Sequence, residues 1–164
     1  MGVYSDKGIK KLIEEGVIKS QKKTKGVNES KIEQGQIQPS SLDLRISGGG
    51  YCLHSSSLSS NYENTDLDEF FRSRSKYKIN PLEPFYYLRR GDVHVFPLLE
   101  ELNLPLHLSA RANPKSTTGR TDIHTRLITE AGYYFDDVPG GYKGKLWLEV
   151  YPRSFDVKIR EGDK

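Results

Sequence analysis

Cysteine is nearly absent from this sequence: Cys52 is the only one in 164 residues. That excludes an internal disulfide and any zinc site built from several thiolates. Long apolar runs are missing too. No stretch approaches the ~20 apolar residues of a membrane-spanning helix, and the opening MGVYSDKGIKK has no apolar signal core. Charge of one sign is also lacking, with 25 Lys and Arg against 22 Asp and Glu, a formal net charge of +3. Without a basic or acidic tail, bulk binding to a nucleic-acid polymer is not indicated. A local positive patch for a small phosphorylated ligand remains compatible. Together these absences lead to the expectation of a reduced, cytoplasmic setting away from membranes. Hydrophobic residues make up only 35% of the chain, which is lean for a monomer that must bury its own core. A subunit interface or a long polar insertion would each account for that.

The length is that of one domain. SDKGIKKLIEEGVI reads as a short helix: Ser5 caps it, Ile9, Leu12 and Ile13 form an apolar stripe, and Gly16 ends it. Residues 20–36 are polar without periodicity and read as a loop. In IQPSSLDLRIS, Leu42, Leu44 and Ile46 alternate with Ser41, Asp43 and Arg45, the period of a half-buried strand. Residues 47–66 are rich in Gly, Ser and Asn and read as an exposed excursion, and LDEFFRSRSK as a brief helix. From residue 77 onward short strand-like segments follow one another: YKINPL, PFYYLRRGDVHVFPL, LHLSARA, HTRLIT, KLWLEVYP and FDVKIREG. Arg90-Gly91-Asp92 and PGGYKG at 139–144 read as hairpin turns. One helix followed by many short strands predicts an all-β fold, a barrel or sandwich. The chain stops on a Gly-Asp turn, VKIREGDK, with no strand after it. The expectation is therefore a single domain over residues 1–164, cut from a longer chain.

Three segments could carry chemistry. ARANPKSTTGR places Lys115, Ser116, Thr117 and Arg120 around a turn bent by Pro114 and Gly119. Phosphate oxygens want charged donors, hydroxyls and free backbone N–H groups, and all three occur here; composition alone suits a plain polar turn at least as well. It is not a P-loop, because the G-x-x-x-x-G-K-[ST] spacing is missing. In GKLWLEVYP, alternation puts Leu146, Leu148 and Val150 on one face and Trp147, Glu149 and Tyr151 on the other. A carboxylate between aromatics in a partly dry pocket would suit a general base; an outward-facing Glu on an edge strand is the plainer alternative. In YYFDDVPGGYKG the glycines suit a tight turn near a ligand, with Tyr142 offering a ring face and Asp136 or Asp137 a carboxylate, although a simple hairpin explains them equally. The histidines, His54, His94, His107 and His124, are scattered and form no H-x-E or H-x-x-x-H pattern, so no metal site is expected. Cys52 reads as incidental.

Taken in order, the SDKGIKKLIEEGVI helix, IQPSSLDLRIS, PFYYLRRGDVHVFPLLEELNLP, KSTTGR and GGYKGKLWLEV resemble the dCTP deaminase branch of the dUTPase-like superfamily. KSTTGR stands where the family carries an R-S-S-x-x-R phosphate loop. The likeness runs over most of residues 5–162 and weakens at 47–76. RANPKSTTGR and VPGGYKGKLWLEVYPRSF look closest to a long, duplicated bacterial form, of which this chain would be the N-terminal half.

The resemblance implies a β-clip barrel assembled as a homotrimer with active sites between subunits. It implies deamination of dCTP to dUTP and ammonia, with dUTP diphosphatase, a bifunctional enzyme or a non-catalytic nucleotide-binding module as alternatives. Glu149 matches the glutamate that activates water. Ser116 and Arg120 match residues that position or polarise that water and the base. Lys115, Ser116 and Thr117 fall where the family grips the triphosphate, carried with Mg²⁺. Thr129 falls near the cytosine ring. No zinc is implied: the H-x-E…P-C-x-x-C signature of zinc deaminases is missing. Two departures stand out. Pro139 occupies the place of the hairpin aspartate that meets the deoxyribose hydroxyl, which leaves Asp137 as the nearest substitute, and the C-terminal lid of single-domain relatives is absent.

Overall fold

The computed structural model describes residues 2–21, 32–58, 66–80, 83–130 and 134–164. The chain begins with helix α1 (Asp6–Glu14), where the Ser5 hydroxyl accepts from the Gly8 N–H and Ile9 and Leu12 are buried. Gly16, at φ 72°, turns the chain out of it, as the C′ position of a helix requires. Strand β1 (Ile18–Ser20) follows, then a 3₁₀ turn (Gln34–Gln36) and β2 (Gly50–Leu53). Next come α2 (Leu67–Ser73), β3 (Ser75–Ile79), β4 (Tyr86–Leu88) and β5 (Val93–Asn103). The remainder is β6 (Ala110–Arg111), α3 (Ser116–Arg120), β7 (Ile123–Thr129), β8 (Asp137–Val138), β9 (Lys143–Pro152) and β10 (Val157–Ile159). The fold is mainly β with a short N-terminal helix.

The principal sheet runs β3-β2-β5-β9-β7, with β1 also on β5, and its pairings are antiparallel. β5 serves two partners on one edge. Its first part pairs with β2 (Tyr51↔Val95) and its last with β1 (Ile18↔Leu102). The ladder with β9 shifts register between Pro97 and Glu101, next to the proline that has no N–H to donate. Two small sheets, β10-β4 and β6-β8, complete the described strands.

The principal sheet is covered on both faces. Phe96, Leu127, Leu146 and Val150 point into the largest core cluster. Tyr51, Val95, Ile128 and Trp147 point the other way, where α2 supplies Leu67 and Phe71. The expected alternation along 146–151 is therefore present, but neither face of β9 is open to bulk water over residues 146–150.

Several sequence expectations are corrected. The glycine-rich stretch is no exposed excursion at 50–53: it is β2, buried throughout and paired on both sides. A Cβ on Gly50 would sit 2.3 Å from the Val95 carbonyl oxygen, so the glycine marks close strand approach. Residues 59–65 of that stretch, and 22–31 of the expected loop, lie outside the described residues. Residues 41–46 form no continuous strand, only the isolated bridges Ile37↔Leu42 and Ile46↔Leu98. Arg45, expected on the wet side, is 3% exposed. The turns at 90–92 and 139–144 form, but the strands they join pair with other partners.

Candidate active site

Glu149 lies in β9 between Val95 of β5 and Arg126 of β7. It is 2% exposed. Its Oε1 accepts from Arg126 Nε at 2.9 Å and from Nη2 of the same guanidinium. Its Oε2 is buried and accepts no hydrogen bond from the described residues. A buried carboxylate needs its charge balanced, since burial without a partner is far more costly than burial in a pair. Arg126 supplies that balance and is itself held on three sides. Nη2 donates to the Ser56 hydroxyl at 2.9 Å, and the guanidinium lies 4.0 Å from the centre of the Phe135 ring. With its side chain 40% exposed, Arg126 forms the boundary between Glu149 and solvent.

The chemistry available here is specific. One oxygen is pinned and the other has unused lone pairs in a poorly hydrated place. Such a group can take a proton from a water molecule and return it nearby. Sequence reading missed Arg126. The signal was a guanidinium in the middle of HTRLIT, whose significance appears once T-R-L is set in register with L-E-V.

The segment 115–120 expected as a loop is α3, a single helical turn preceded by Lys115. Ser116, Thr117 and Arg120 are exposed on it. Lys115 Nζ meets Asp43 Oδ2 at 2.8 Å, tying α3 to the segment before Arg45. α3 leads directly into β7, so Arg120 and Arg126 belong to one continuous segment. Among the described residues, no hydrogen bond or ion pair links Glu149 to 115–120 within the chain.

The remaining expected residues are dispersed. Thr129 is 2% exposed and pairs with Leu146, which puts its side chain on the face opposite Glu149. Asp137 is half-buried in β8, opposite Arg111. Asp136 accepts from the Leu127 N–H at 2.7 Å and adopts φ 64°; it holds the turn. Tyr142 packs in the largest core cluster. Its hydroxyl accepts from the Glu130 N–H and donates to the Lys145 carbonyl, and burial pushes the phenol far above its ordinary value. That ring is packed in the core of this chain, 6% exposed. Gly140, likewise, adjoins the Leu106 carbonyl, where a Cβ would come within 2.3 Å.

A second grouping was also missed. Cys52, Asp92 and His94, scattered in sequence, converge on the far face of the sheet. Burial holds the His94 imidazole below its ordinary value, against the opposing pull of the Asp92 carboxylate and of backbone groups of Val150 and Asp92.

Comparison with known proteins bears on the family of the whole domain. A "dCTP deaminase, dUMP-forming" of Methanosphaera stadtmanae is 30% identical over 152 residues, 92% of this chain and 68% of that protein. A Sulfurihydrogenibium protein of the same description is 27% identical over 161 residues, 98% of this chain and 78% of its own. The crystal structure of 2'-deoxycytidine 5'-triphosphate deaminase from Agrobacterium tumefaciens superposes with a TM-score of 0.85 at 35% identity. That match covers 98% of this chain but 45% of the Agrobacterium one, so the chain spans less than half the length of that protein. Residues 1–164 match the 2'-deoxycytidine 5'-triphosphate deaminase (DCD) N-terminal domain throughout, and the chain belongs to that family.

Proposed function

We infer that the protein to which this domain belongs hydrolyses dCTP to dUTP and ammonia, with Glu149 as the proton carrier. The observation that supports this most is the buried Oε2 of Glu149, without a hydrogen-bond partner among the described residues while Oε1 is fixed by Arg126. Oε2 takes a proton from water as the oxygen bonds to C4 of cytosine. That proton goes to ring N3. The second proton of the water goes by the same route to the exocyclic amino group, the C4–N bond breaks, and ammonia leaves. Proton transfer by a placed side chain is worth on the order of 10²–10⁴-fold.

Ser116 and Arg120 orient the water and the base and stabilise developing charge. Lys115, Ser116 and Thr117 grip the triphosphate, whose Mg²⁺ arrives as part of the substrate. Asp137 meets the deoxyribose, the chain near Thr129 borders the ring, and Tyr142 acts by holding the 139–144 turn. Since α3 is exposed and unlinked to Glu149 within the chain, the reading includes sites shared between subunits of a β-clip homotrimer.

A second reading is favoured by the names of the relatives, which are called dUMP-forming: deamination followed by release of pyrophosphate. Incubation with dCTP and Mg²⁺, following ammonia, pyrophosphate and the nucleotide product, separates the two. Ammonia with dUTP supports the first; ammonia with dUMP and pyrophosphate supports the second. Tight dCTP binding without turnover indicates a nucleotide-binding module, and no binding overturns both.

A further inference from the structure

We propose that Cys52, Asp92 and His94 form a site for a thiophilic divalent ion of the Zn²⁺ type, joining β2 to the start of β5. One donor atom from each residue lies within 4.8 Å of the others, the one such group among the described residues. The register explains the convergence. Cys52 and His94 are directly opposed across the antiparallel β2–β5 pair, and Asp92 stands two residues before His94, which brings it to the same face. Metal–ligand distances of about 2.3 Å for sulfur and about 2.0–2.2 Å for nitrogen or oxygen put two donors of a tetrahedral site about 3.5 Å apart, so no pair here needs to close by much more than about 1 Å.

His94 points independently to a missing partner. It is 0% exposed, and among the described residues neither Nδ1 nor Nε2 has a hydrogen-bond partner of ordinary geometry, although backbone groups of Val150 and Asp92 lie near enough to act on the ring. A neutral imidazole carries one donor and one acceptor, so a fully buried ring this weakly partnered asks for an explanation. A metal ion beside it, facing a thiol and a carboxylate, provides one. Asp92 is the outer member, with its side chain 22% exposed, so it gives the cluster a way in from solvent. Lys76 donates to Asp92 Oδ1 at 2.5 Å and fixes the carboxylate from outside, as supporting groups do in metal sites. Thiolate with imidazole and one carboxylate selects Zn²⁺ or Co²⁺ over Mg²⁺ or Ca²⁺.

The ion is distinct from the chemistry at Glu149. His94 pairs with Val150 and Val95 with Glu149; adjacent positions on a strand face opposite ways, so the sheet separates the two sites. An ion here fastens β2 to β5, the neighbour of the strand that carries Glu149, and does not touch its water.

The test is titration of the metal-free protein with Co²⁺, followed by absorption. Cys52 is the only thiol in these 164 residues, and a thiolate-to-Co²⁺ charge-transfer band that is lost in Cys52→Ser reports on this site. The expected result is a band saturating at one equivalent, abolished by Zn²⁺ and absent in Cys52→Ser. Asp92→Asn, at the exposed end, should weaken binding by at least about tenfold. Zn²⁺ should also raise the thermal midpoint of the wild type and leave that of Cys52→Ser unmoved. Absence of the band at millimolar Co²⁺, or unaltered affinity in Asp92→Asn, overturns the proposal.

Discussion

Two glutamates in this fold are buried to nearly the same degree and treated in opposite ways. Glu100 is 0% exposed and Glu149 is 2% exposed. Both face an arginine, Arg45 at 2.9 Å and Arg126 at 2.9 Å. Glu100 has both oxygens occupied: Oε1 by Arg45 Nε and Gln36 Nε2, and Oε2 by the Arg45 backbone N–H at 2.7 Å. Arg45, 3% exposed, also donates to Ser20. The group joins β5 to three chain segments and has no lone pair directed at anything else. Glu149 has one oxygen tied and one idle, behind a half-exposed arginine. A closed network holds a fold together, whereas an open one keeps a reactive atom available. The carboxylates are equally buried; the difference lies in the number of satisfied oxygens and in the exposure of the arginine, 3% for Arg45 and 40% for Arg126.

That contrast can be broken deliberately, ranked here by expected loss of stability. Glu100→Ala leaves Arg45 charged, buried and unpaired, and should cost about 3–5 kcal/mol in the unfolding free energy measured with urea. Arg126→Met strands Glu149 in the same way. The loss should be smaller, about 2–3 kcal/mol, because Arg126 is 40% exposed and forms the boundary to solvent, so that its removal lets water reach the stranded carboxylate; deamination should fall with it. If the two variants lose stability equally, the open and closed descriptions do not differ.

Tyr142 gives a smaller, pH-dependent effect. Its phenol is raised above the ordinary value of 10 by burial. Above about pH 10 the unfolded chain releases this proton while the native state keeps it, so stability falls as pH rises, by at most about 1.4 kcal/mol per unit from this residue. Burial also pushes Tyr51 up to about 12, and it adds to the same slope. Tyr142→Phe should lower stability at neutral pH by about 1–2 kcal/mol and flatten the alkaline slope. An unchanged slope contradicts the placement of its hydroxyl.

Much of the fold is legible locally. Ser5, the Ile9–Leu12 stripe and Gly16 specify α1 without outside help, and the alternation in HTRLIT and KLWLEVYP specifies β7 and β9. Residues 50–53 were not legible, because Gly50 is required by the Val95 carbonyl, a neighbour that only the sheet register supplies. Arg45 and Glu100, 55 residues apart, could not be paired from spacing. The same holds for Cys52 and His94. Glu149 was legible by resemblance, while its guanidinium partner needed the β7–β9 register. Tyr142 was read as a ligand surface because an aromatic beside glycines suits that role; that its hydroxyl serves two backbone groups needed the fold.

The most direct test of the central claim is the rate of ammonia release from dCTP and Mg²⁺ by Glu149→Gln. Gln keeps the acceptor for Arg126 and loses the proton-carrying oxygen. The account predicts a rate lower by about 10²–10⁴-fold, with the unfolding free energy within about 1 kcal/mol of the wild type. Ammonia release at the wild-type rate would contradict it.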